Sequence, residues 1–142
     1  MTKIVILSFL LIIASAFNPV LGQAKDWAID VNLQSCLDSA QNQTNVGMIS
    51  CSVRAKEAWD KELNKYYKLL MNSLSESEKE KLRNAQKNWL LYRNSETEFA
   101  AKLYTNLQGS MWRIVAANRQ MEIVKQRTLE LRQYYETLTE EK

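Results

Sequence analysis

An all-α fold is predicted for this chain: an antiparallel bundle of three long helices plus a short N-terminal helix, with one disulfide. Three observations predict it. Beyond residue 22 the 142-residue chain has no proline and only two glycines, Gly47 and Gly109, so few positions can interrupt a helix. Apolar residues recur at steps of three and four through three long runs. Two short polar segments separate those runs, and short bends between long helices make sequential neighbours antiparallel.

Residues 1–22 read as a secretory signal peptide. Lys3 supplies the positive n-region, residues 4–17 are an almost unbroken apolar run, and Pro19 ends it before Val20, Leu21 and Gly22. The run falls short of the ~20 residues that span a bilayer, which favours export and cleavage before Gln23 over an uncleaved anchor. Residues 23–32 read as a flexible lead-in carrying Trp27, and residues 33–139 as a single helical domain.

Within that domain a short helix over 33–40 carries Cys36. The polar run 41–45 then turns the chain, with Thr44 placed to cap the second helix. That helix spans about 45–72 with the seam Cys51, Ala55, Trp59, Leu63, Tyr66, Leu70 and Leu74. Ser75 and Glu78 form a capping box that starts the third helix. It runs to about residue 104 along Leu82, Ala85, Trp89, Tyr92, Glu96, Phe99 and Leu103. After a break at 106–110 the last helix presents Ile114, Ala117, Met121, Val124, Thr128, Leu131, Tyr135 and Leu138. So sustained a heptad also suits an intermolecular coiled coil, but three consecutive seams can satisfy one another.

Cys36 and Cys51 both lie in the exported part, where an oxidising compartment favours a disulfide. Two free buried thiols are the alternative; a metal site would lack a histidine to complete it, since the chain has none. The absence of histidine also removes Ser-His and Cys-His nucleophiles, and neither glycine belongs to a phosphate-cradling loop. No catalytic residue, metal or cofactor is expected. The formal charge of +3, lowered by one when Lys3 is removed, has no basic concentration suited to nucleic acid.

A set of polar residues interrupts the seams. Asp60 and Asn64 are four apart on the second helix, and Gln86 and Arg93 seven apart on the third, so each pair shares a face. Across an antiparallel hairpin they could form a buried network, Asp60 accepting from the Arg93 guanidinium. Removing Asp60 would then cost a few kcal/mol. Arg127 is a further candidate partner for Asp60 or Glu96. Trp27, Trp112, Tyr134 and Tyr135 sit near segment ends, where aromatic residues serve equally in end-packing or as anchors for a protein partner.

These residues resemble the LprI-like lysozyme-inhibitor family of the bacterial envelope. The likeness covers roughly 36–131: Cys36 and Cys51 around Gln41; then Asp60, Leu63, Asn64 and Tyr67; then Leu82, Arg83, Ala85, Gln86, Trp89, Tyr92 and Arg93; and finally Arg127 and Leu131. Typical members of that family carry a second cysteine pair, whose positions fall here at Thr97 and near Asn118 or Arg119. Its absence implies a last helix held more loosely. Gln23 stands where a lipoprotein member has its lipid-bearing cysteine, which implies a periplasmic or secreted protein with no stable membrane anchor. The resemblance implies a protein partner, lysozyme, held by occlusion. An adaptor module that binds an envelope protein or peptide along a groove between helices is the alternative. A contiguous acidic concavity would favour inhibition, because lysozymes are commonly basic.

Overall fold

The computed structural model describes residues 27–140, and the expected signal peptide lies outside them. Four α-helices follow one another: α1 (Ala28–Asp38), α2 (Asn45–Ser73), α3 (Glu76–Thr105) and α4 (Met111–Glu140), with one 3-10 turn at Ala40–Asn42. No strand occurs among the described residues. Cys36 and Cys51 are joined in a disulfide, with their Cα atoms 5.8 Å apart.

Each of α2 and α3 starts where side chains can satisfy its free N–H groups. The Thr44 hydroxyl accepts from the Gly47 N–H at 3.1 Å. Ser75 opens α3 with a capping box, its N–H donating to the Glu78 carboxylate at 2.8 Å. Only Leu74 and Ser75 separate α2 from α3, so these helices must double back. Gly109 bends the next connection at φ +104°, a conformation that a Cβ would strain.

Gly47 is required for a different reason. A Cβ there would lie 2.6 Å from the Asn42 Cα and 2.7 Å from its carbonyl oxygen, both backbone atoms with nowhere to go. Gly47→Ala is therefore expected to destabilise the protein by roughly 1–3 kcal/mol, read as a lower urea midpoint.

The core lies chiefly between α2 and α4, which run parallel to each other. Ser52 Oγ bonds Asn118 Oδ1 at 2.5 Å, Thr128 Oγ1 donates to the Trp59 carbonyl at 3.1 Å, and Tyr66 meets Tyr135 with ring centroids 6.3 Å apart. The near-constant offset between partners keeps the two helices in step along their length. Ala55, Trp59, Leu63 and Leu70 of α2 interlock with Met121, Val124 and Leu131 of α4. The seam expected for α2 is the one observed; that of α4 is buried at Met121, Val124, Thr128 and Leu131, with Ile123 and Arg127 buried in addition.

Three expectations need correction. First, α1 begins at Ala28, not Leu33, so residues 28–32 are helix and not lead-in. Ile29 and Leu33, four apart, both pack on the core, and Trp27 meets the Trp59 ring edge-on at 5.3 Å. Second, α4 is not the loose helix. It buries six residues, whereas α3 buries only Ala100. Third, α3 turns a different ridge inward. Leu82, Gln86, Trp89, Arg93, Glu96, Ala100 and Tyr104 are buried or half-buried, while Ala85, Tyr92, Phe99 and Leu103 are exposed. The two ridges share Leu82, Trp89 and Glu96, and between them burial falls one residue later, on Gln86, Arg93 and Ala100, because α3 is supported chiefly by α4 and leans on it by that side.

Candidate functional site

Although α2 and α3 are joined by two residues, they scarcely touch; α3 leans on α4 instead. The space between them is a groove of about 710 Å³. One wall is Lys56, Glu57, Asp60 and Lys61 of α2, and the other is Arg93, Asn94, Thr97 and Glu98 of α3. Gln120 and Val124 of α4 form the floor. Lys56, Lys61 and Arg93 balance Glu57, Asp60 and Glu98, so the groove is polar and electrically even, not acidic.

The expected polar set is divided among three places. Asn64 Nδ2 donates to the Asp60 carbonyl at 2.8 Å and to its Oδ2 at 3.1 Å, within α2 alone. Arg93 faces Asp60 across the groove but bonds Asn94 Oδ1 at 3.2 and 3.1 Å and lies over the Trp89 ring at 5.3 Å. Gln86 is on the α4 side, where its Oε1 accepts from Arg127 Nε at 3.2 Å. Arg127 also pairs with Glu130 at 2.9 Å, so it reaches neither Asp60 nor Glu96. The expected fork between Asp60 and Arg93 is replaced by an open gap. Asp60→Ala should therefore change stability by no more than about 0.5 kcal/mol, because Asn64 keeps its backbone bond. A fall in melting temperature equivalent to ~2 kcal/mol or more would reveal a buried ion pair.

Glu96 finds a different cation. Arg119 Nη2 meets its Oε1 at 2.7 Å, and that hydrogen bond holds the guanidinium above its ordinary pKa. Asn118 beside it is the residue bonded to Ser52. The region where the family resemblance implies a second cysteine pair is thus tied to both neighbouring helices by polar side chains. Glu96 stood in the expected seam of α3, but nothing in the sequence distinguished Arg119 from an ordinary surface charge. The same holds for the groove residues Lys56, Lys61, Asn94 and Glu98.

Three of the four end aromatics are engaged in packing. Trp27 lies against Trp59 and beneath the Arg132 guanidinium, 4.2 Å from its ring centre. Trp112 stacks on Tyr104 at 5.8 Å and donates to the Gln108 carbonyl at 3.0 Å. Tyr135 packs on Tyr66. Tyr134 is exposed and borders an apolar hollow formed with Leu70, Leu74, Leu82 and Leu138. Among the described residues no cluster of cysteine or carboxylate side chains could hold a metal ion.

The family model described as Lysozyme inhibitor LprI matches residues 36–131, from the first cysteine to the buried Leu131. The chain belongs to the LprI family. The matched span takes in the disulfide, both groove walls and the floor. The description of that family is of an inhibitor. No curated protein matches the chain. Among solved structures, an uncharacterized protein from Burkholderia thailandensis superposes with a TM-score of 0.76 at 24% identity. The match covers 81% of this chain and 57% of that one, and it shows a shared fold. This chain accordingly spans a little over half of that longer protein.

Proposed function

We propose that this LprI-family protein is a binding protein that inhibits lysozyme by occlusion. The family match over 36–131 carries this reading. The groove supports it by offering a concave face between α2 and α3. Because its charges balance, recognition would rest on shape and local polar pairs, not on attraction between opposite net charges. Inhibition should consequently change little between low and physiological salt, unlike an electrostatically steered complex. The deciding experiment adds excess purified protein to lysozyme acting on bacterial cell walls. Slowed lysis is expected, and an unchanged rate at saturating protein would remove the reading.

The even charge of the groove also favours a second reading, an adaptor that holds a peptide of mixed charge between α2 and α3. Such binding would leave lysozyme unaffected and would weaken on Arg93→Gln or Glu98→Gln. We also propose export to the bacterial envelope with cleavage before Gln23. No helix among the described residues is long and apolar enough to cross a membrane. Mass measurement of the exported protein would test the cleavage site.

A further inference from the structure

The disulfide is not sealed inside the fold. Cys51 is buried, but Cys36 is only half-buried, and both border a hollow of about 240 Å³ between α1 and α2. Ile29, Leu33, Ala55 and Ala58 make its walls apolar, and Arg54 is the one charged residue on them. Arg54 Nη2 donates to Cys36 Sγ at 2.6 Å and to Cys51 Sγ at 3.5 Å. Its Nη1 donates to Ser50 Oγ at 2.9 Å, which steadies the guanidinium against the sulfurs. Asn42 Nδ2 also reaches Cys36 Sγ, at 3.5 Å. Among the described residues no carboxylate forms an ion pair with Arg54. A disulfide sulfur is a neutral, weak acceptor, so the cation gains little from it. A thiolate in the same place would be its missing counter-charge, and an adjacent arginine lowers the pKa of a thiol.

We propose that Cys36–Cys51 is a thiol-exchange site, opened by a dithiol reductant and assisted by Arg54. The attacking thiolate enters the hollow and bonds Cys36 Sγ, on the more exposed of the two residues. The bond between Cys36 and Cys51 breaks, and its electron pair leaves on Cys51 Sγ as a thiolate. Cys51 is buried, where an unpaired charge is costly, and Arg54 supplies the compensating cation. The reductant's second thiolate then bonds its own first sulfur, closing the reductant into a disulfide and releasing the Cys36 thiolate beside Arg54 and Asn42. Two electrons pass from the dithiol to the protein, and the two protons that the dithiol gives up end on the two cysteines. A leaving thiol of lower pKa departs faster, so the guanidinium accelerates the step as well as favouring the reduced pair. Exchange unties α1, which is then held by the Trp27–Trp59 contact, the Asp30–Lys125 pair and the packing of Ile29 and Leu33. The hollow shares no residue with the groove, so the inference is independent of the inhibitory reading.

The test mixes the oxidised, full-length exported protein with dithiothreitol under native conditions, then quenches, alkylates and weighs it over time. Wild type should take up alkyl groups on both cysteines without denaturant, at a rate that dilute urea leaves unchanged. Arg54→Gln should be reduced about three- to tenfold more slowly, and its equilibrium with dithiothreitol should shift by a similar factor toward the disulfide. Arg54→Lys keeps a cation at the site and should recover most of the rate. A merely structural Arg54 predicts the opposite sign, because a loosened fold exposes Cys51 and speeds reduction. An Arg54→Gln rate at or above that of wild type would overturn the proposal. So would an Arg54→Lys variant as slow as Arg54→Gln, or a wild-type disulfide that is reduced only as the protein unfolds.

Discussion

Trp59→Ala is expected to lower the melting temperature by roughly 10–20 °C, the largest effect of any single substitution here. Trp59 is fully buried at the point where α1, α2 and α4 converge. Trp27 contacts its ring edge-on, and Lys125, itself paired with Asp30 of α1 at 2.9 Å, has its ammonium 5.6 Å from the ring centre. Removing the indole leaves a cavity that these neighbours cannot close together, at a cost of about 3–5 kcal/mol. Trp59→Phe should retain most of that stability, because the indole Nε1 has no hydrogen-bond partner to lose. Thermal unfolding followed by circular dichroism separates the two variants. A loss below ~1 kcal/mol for Trp59→Ala would mean that α1 does not pack against this ring.

Breaking the disulfide should produce the next largest loss, about 3 kcal/mol for a loop of this length in the chain-entropy description. Cys36 and Cys51 are 15 positions apart and close α1 and the 3-10 turn onto the start of α2. Cys51 is buried, while Cys36 is only half-buried beside the Arg54 guanidinium. Paired substitution by serine should therefore release α1 first and leave the polar ties between α3 and α4 intact. Urea unfolding of the serine pair against wild type measures the loss, and equal midpoints would show that packing through Trp27 and Ile29 already holds α1.

The seam of α2 was legible because that helix is buried along one continuous face, so periodicity and burial coincide; α4 is packed by both α2 and α3, and the pattern marked its seam without marking the buried Ile123. The capping box at Ser75 and Glu78 and the disulfide were legible for a similar reason, since both depend on local spacing and residue type. The ridge of α3 was not, because this helix is supported from one side only. Its inward face includes Gln86 and Arg93, which a hydrophobic pattern passes over, while Tyr92 and Phe99 satisfy the pattern and remain outside. The groove was beyond reach for a related reason. Lys56, Asp60 and Glu98 have the composition of any wetted surface, and only the spacing between the helices makes them walls. The hairpin suggested that Asp60 and Arg93 would meet, but adjacency along the chain did not bring α2 and α3 into contact.

The slender attachment of α3 bears on local unfolding. With one fully buried side chain and few links to α2, this helix can detach as a unit at a free energy well below that of the whole molecule. Its amide hydrogens should exchange with solvent sooner than those of α2 and α4, which unravel together. Any ligand or second subunit that braces α3 would then reveal itself as slower deuterium uptake over 76–105, even without a visible change in shape.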